Sequence, residues 1–128
     1  MSYRIDPERA LVLTQAWGVL TDSDILAHKE ALLSDPAFGP HLSELSDVRR
    51  IERLDVTPAG VRAMVAHDAT QSDRLGGHRL ALLVDADAVF GMARMYQILG
   101  DRERDHVGVF RTEADATAWL ATDRATRA

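Results

Sequence analysis

His67 and Asp68 stand side by side, and an adjacent imidazole and carboxylate can ligate a divalent metal when further His or Asp ligands reach them from other helices. His28 and His41 have the right chemistry, but no spacing ties either to that pair, so His67 is read as a surface residue of a helix. Thr57 offers a hydroxyl in the loop Asp55-Val56-Thr57, just ahead of Pro58, where the simplest role is to cap a helix. Asp22, Asp24, Asp85 and Asp87 cluster where helices begin, and the helix dipole favours negative charge there without any catalytic purpose. Gly76-Gly77-His78 leads into a strand, so its amides are not gathered at a helix start to cradle a phosphate. G-x-S-x-G, H-E-x-x-H, G-x-G-x-x-G and P-loop patterns do not occur. With no cysteine, thiolate nucleophiles, Cys-based zinc sites and disulfides are excluded. The expectation is a chain that is not an enzyme, with no catalytic residue, no metal and no cofactor.

The balance of charge points the same way. A net charge of −5 over 128 residues argues against nucleic acid, which calls for a basic excess or stripe. Lys29 is the sole lysine beside fourteen arginines, a bias that the alanine-rich composition attributes to codon usage. The one local cluster, Arg49-Arg50 with Arg53, is broken by Glu52 and bounded by Asp47 and Asp55, and reads as a solvated loop. The opening residues MSYRIDPERA lack an apolar signal region, and no apolar run is long enough to span a bilayer. A cytoplasmic location is the resulting expectation.

The elements that must position these residues form one unit, 1–122, followed by a polar tail, 123–128. Tyr3 to Asp6 and Leu11 to Trp17 read as an opening hairpin around Asp6-Pro7-Glu8-Arg9, ended by Gly18. Thr21 caps a first helix, with Asp24 at the fourth position of a capping box and Asp35-Pro36 at its end. His41 to Val48 is a third strand. Thr57-Pro58 opens a second helix, with Val61, Met64, Val65 and Asp68 at helical spacing up to Thr70. Leu80 to Val84 is an unbroken apolar run, the mark of a strand buried on both faces, and its leucines are expected to be nearly fully covered. Asp87 caps the third helix and Gly100 closes it; His106 to Phe110 is the last strand, and Thr112 caps a final helix with Ala116, Trp119 and Leu120 facing inward. The order ββαβαβαβα predicts a mixed sheet of about five strands, parallel after its opening hairpin.

The third helix is too apolar for a simple surface helix. Val89, Met92, Ala93, Tyr96 and Leu99 form its core-facing stripe, while Phe90, Gly91, Arg94, Met95 and Ile98 lie on a second side. That second side is the expected interaction or ligand surface, suited to a homodimer or a protein partner, with Gly91 permitting close approach. An apolar small molecule would instead require a cavity lined by Met92, Met95, Phe90 or Trp17.

This order of elements, the strand ending at Asp47, the loop Asp55-Val56-Thr57, the run Asp87-Ala88-Val89-Phe90-Gly91-Met92-Ala93-Arg94-Met95-Tyr96 and the closing Thr112 to Leu120 helix resemble the SpoIIAA-like family. Its members are small bacterial proteins related in fold to STAS domains, including anti-sigma-factor antagonists, and to Sec14 (CRAL-TRIO) lipid-binding domains. The resemblance covers nearly the whole chain and is most specific over Phe90 to Tyr96. It implies an α/β SpoIIAA/STAS-like fold with helices mainly on one face, and a non-catalytic regulatory or protein-interaction role. The Sec14 side implies the alternative, a small apolar-ligand or lipid-binding protein. In the antagonists a Ser of an Asp-Ser-Ser-Gly loop is phosphorylated to switch partner binding. Asp55 and Thr57 match the Asp and the second Ser of that switch loop, whereas Val56 and Pro58 replace the first Ser and the Gly.

Overall fold

A computed structural model describes residues 1–39, 41–71, 78–85, 87–99 and 107–122. Strands β1 (Ser2–Asp6) and β2 (Leu11–Thr21) form an antiparallel hairpin. Then follow α1 (Asp22–Ser34), β3 (Ser43–Asp55), α2 (Pro58–Thr70), β4 (Leu80–Leu83), α3 (Asp87–Leu99), β5 (Val107–Phe110) and α4 (Glu113–Leu120). The five strands lie in sequence order, β1-β2-β3-β4-β5, and every pairing after the hairpin is parallel. This is the predicted α/β architecture. The Gly76-Gly77 turn, Gly100, His106 and the tail 123–128 lie outside the described residues, as does the side chain of Leu99.

Two strands run further than their sequence suggests. Gly18 does not end β2: it adopts φ +68 inside the strand, next to register shifts against β3, and the chain resumes pairing to Thr21. A left-handed residue within a strand is a bulge rather than a stop, and glycine takes that conformation without strain. Likewise β3 does not end near Val48. Trp17 pairs with Arg50 and Val19 with Arg53, so the arginine cluster is strand, not loop. Extended pairing with β2 supplies the backbone hydrogen bonds that its polar, weakly alternating sequence does not advertise.

Alternation along β4 divides the core. Ala81 and Leu83 face α4, packing with Leu45, Ala116, Phe110 and Trp119. Leu80, Leu82 and Val84 face the other way, toward the layer made by α1, α2 and α3. Among the described residues, three helices therefore cover one face and α4 the other. Leu83 and Val84 are fully buried, as expected, but Leu80 and Leu82 are only half-buried. That departure has a cause: both point into a cavity beneath the three helices.

The helix starts are well determined. Thr21 and Asp24 form the full reciprocal capping box of α1, and Thr112 accepts from the Asp115 amide at the start of α4. Asp87 is the first residue of α3 rather than the cap before it. Buried Arg79, just before β4, donates to the carbonyls of Trp119 and Leu120 and lies 5.9 Å from the Trp119 ring, which fastens the negative end of α4 to the sheet.

Candidate functional site

A cavity of about 100 Å³ lies between the sheet and the three-helix layer. Its floor comes from same-face residues of β3 and β4: Glu44, Ser46 and Val48 on one, Leu80, Leu82 and Val84 on the other. Its roof is Val61 and Met64 of α2 with Val89, Met92 and Ala93 of α3, and α1 closes a side with Ile25, His28 and Lys29. Most of the wall is aliphatic. Polar groups enter chiefly where α1 meets the start of β3, because that is where a strand carrying Glu44 and Ser46 faces a helix carrying His28 and Lys29.

Glu44 is buried and ionised. Thr14 Oγ donates to Glu44 Oε2 at 2.6 Å, and His28 Nε2 stands 2.8 Å from the same oxygen. An ionised carboxylate only accepts, so Nε2 of His28 carries the proton. His78 donates from Nδ1 to the Leu42 carbonyl at 2.7 Å and turns Nε2 toward Glu44 Oε1 at 3.9 Å. Burial by itself pushes the Glu44 pKa up, but the contacts with His28 and His78 outweigh it and hold the carboxyl well below its usual range. A buried charge is tolerated only with such partners.

A second polar network ties the three helices together at the cavity edge. Lys29 of α1 donates to Asp68 of α2 at 3.0 and 3.3 Å and to the Tyr96 hydroxyl of α3 at 2.9 Å, while Tyr96 donates to Asp68. Burial opposes the charge on Lys29, yet Tyr96 and Asp68 together raise its pKa above the ordinary lysine value. Burial, reinforced by Asp68, raises that of the Tyr96 phenol too. Every charged group in this set faces another member, so the set works as a clamp between helices. Asp68 is thus committed to Lys29 and Tyr96, and His28 to Glu44, which leaves His67 without the companions a metal site requires. Among the described residues no group of three or more His, Asp or Glu is arranged to hold a metal ion.

Ser46 differs from its neighbours. It is 4% exposed, it lines the cavity, and its hydroxyl makes no hydrogen bond among the described residues. Sequence reasoning singled out none of Glu44, Ser46, Lys29, Thr14 or His78 as site residues. The available signal was the alternation of Glu44, Ser46 and Val48 on the strand, which puts two polar side chains on a face otherwise occupied by apolar ones.

The residues expected to form a site are dispersed. Thr57 caps α2, accepting from the Gly60 amide at 2.9 Å, and donates its hydroxyl to Asp22 at 2.8 Å; the Thr57 amide also reaches Asp22 at 3.1 Å. Asp22 thus joins the starts of α1 and α2, and any side chain at Gly60 would overlap its carboxylate. Asp55, at the end of β3, is exposed and 3.9 Å from Arg53. On α3 the second face divides. Phe90 is half-buried beneath the Arg111 guanidinium at 4.5 Å, and Met95 packs with the cluster around Met64 and Tyr96. Gly91 and Arg94 are exposed, and Ile98 is 64% exposed. Of the residues expected around a ligand cavity, Met92 lines it, whereas Trp17 lies on the sheet, 54% exposed beside Val19 at 41%.

No family model matches this chain, and no curated protein matches it. Among solved structures, it is similar to an uncharacterized protein from the DUF3478 family with a SpoIIAA-like fold, from Shewanella loihica PV-4. The two share 16% identity and superpose with a TM-score of 0.52, over 87% of this chain and 84% of the other. The chain accordingly has a SpoIIAA-like fold. Among the described residues no helix is long and apolar enough to cross a membrane.

Proposed function

We propose that this chain is a non-catalytic binding module whose cavity takes one small, largely apolar molecule. The observation that carries the reading is the cavity itself, about 100 Å³ of aliphatic-walled space in a layer that close packing would otherwise fill. Its size bounds the ligand: benzene binds in an apolar cavity of about 150 Å³, so a space of about 100 Å³ takes at most a single ring or a short branched chain, and a ring fills it completely or reaches its open edge. A lipid with full acyl chains is too large, since drug-sized ligands already need roughly 300–1,000 Å³. The non-catalytic part of the reading is supported by the two polar networks, in which Glu44 with His28 and Lys29 with Asp68 and Tyr96 satisfy one another.

Benzene supplies the test. In methyl-detected NMR titration at millimolar concentration it should shift the resonances of Leu82 and Met92, and Leu82→Phe, which places a ring in the space, should abolish the shifts while the protein stays folded. Shifts absent from Leu82 and Met92 would sink the reading. A second reading, a regulatory module that self-associates, is favoured by one feature: the outward strip of α3 at Gly91, Arg94 and Ile98 is uncovered within the chain.

A further inference from the structure

Ser46 marks one point of the cavity as polar in a way that the rest of the protein does not answer. Ser46 is 4% exposed and lines the cavity, and its hydroxyl makes no hydrogen bond to another described residue. A hydroxyl at a cavity wall that no neighbouring protein group pairs is met by water or by ligand. Glu44, two residues earlier on the same strand face, strengthens the point. Its Oε2 is taken by Thr14 and His28, while Oε1 faces His78 at 3.9 Å among the described residues. The two side chains together present an acceptor-rich spot at the edge of an aliphatic wall.

Resting on the cavity reading above, we propose that the ligand is a neutral alcohol or phenol, an apolar body with one hydroxyl that hydrogen-bonds to Ser46. Charge decides against the alternatives. An anionic ligand would lie against the ionised Glu44, and the Lys29 ammonium that could answer it is already held by Asp68 and Tyr96. An ammonium would have to shed its water inside an aliphatic wall for a carboxylate that Thr14 and His28 already bond and His78 already faces. A hydroxyl needs neither, since it can either donate to Ser46 or accept from it. Ser46 would then act as the residue that tells a hydroxyl-bearing ligand from its plain hydrocarbon counterpart.

A double comparison tests this, with benzene and phenol as probes against the wild type and Ser46→Ala, by NMR titration on Leu82 and Met92. Removing the hydroxyl should weaken phenol roughly three- to tenfold, the worth of one hydrogen bond, and leave benzene unchanged or slightly tighter. Ser46→Cys should give the same ordering with smaller amplitude, and both variants should keep the wild-type circular dichroism. If both probes bind and Ser46→Ala shifts them equally, or shifts neither, the Ser46 assignment is wrong while the cavity reading stands. Benzoate binding more tightly than phenol would overturn the neutral-hydroxyl class. If neither benzene nor phenol binds the wild type, both readings fall together.

Discussion

Thr57 shows how a single contact reverses a substitution that its local sequence recommends. As an N-cap alone, Thr57 could be exchanged for Asp with little loss, because a carboxylate also caps and suits the helix dipole. Its hydroxyl, however, donates to Asp22. Thr57→Ala should lose about 1 kcal/mol in urea denaturation, and Thr57→Asp should lose at least as much, since it sets two carboxylates face to face. Adding Asp22→Asn to Thr57→Asp should recover most of the loss; no recovery would mean that Asp22 is not the cause. Glu44 makes a prediction in pH. Its pKa is depressed below the unfolded value of 4.5, so the unfolded state binds the proton more readily. The stability it contributes is complete above 4.5 and is lost as pH falls through the window below. Because Asp24, Asp35 and Asp47 are depressed as well, the informative quantity is the difference between wild type and Glu44→Gln. That difference should be largest at neutral pH and shrink on acidification; a constant difference would rule out linkage through Glu44.

At the scale of elements, what could be read in the sequence is what local chemistry decides. Thr21, Thr57 and Thr112 cap their helices as their spacing indicates, because a capping hydrogen bond spans three residues and needs nothing from elsewhere. The apolar run before Val84 reads as a strand because both faces of the sheet are covered. What was not legible is what depends on a partner strand or helix. Gly18 looks like a terminator until β3 is placed beside it, and Arg49 to Arg53 look like a loop until β2 is. The polar networks were hidden for the same reason: Thr14, His28, Glu44 and His78 come from four separate segments, and no spacing in the chain relates them. The cavity was invisible too, and it alters the prediction for β4. Leu83→Ala should cost roughly 2–5 kcal/mol, whereas Leu82→Ala should cost distinctly less, because Leu82 already borders empty space and has fewer contacts to lose. Equal losses in chemical denaturation would mean that the space near Leu82 closes in solution.

For the whole molecule, the two faces of the sheet pose different problems. Three helices clamped by Lys29, Asp68 and Tyr96 stand over one face, and this clamp accounts for how a cavity survives there: the helices are held by polar contacts at its edge rather than drawn together by side chains at its centre. Among the described residues α4 is the helix on the opposite face, against β3, β4 and β5. Trp17 and Val19, on the far half of β2 beyond its pairing with β1, are left open to solvent. Two exposed apolar places therefore compete as a site of self-association, the outward strip of α3 and the bare end of β2. We expect association through α3, where Gly91 allows a second helix to approach closely and a two-fold axis would set Ile98 near its own copy. Phe90 and Met95 are unsuitable for testing this, since each is packed within the chain and a charge there would disturb the fold. Ile98 is the informative position. Ile98→Glu should shift a concentration-dependent dimer to monomer in sedimentation velocity, with circular dichroism unchanged, and Trp17→Glu should leave the dimer intact. The reverse pattern would move the interface to β2, and a wild type that sediments as a monomer at every concentration would refute self-association on either surface.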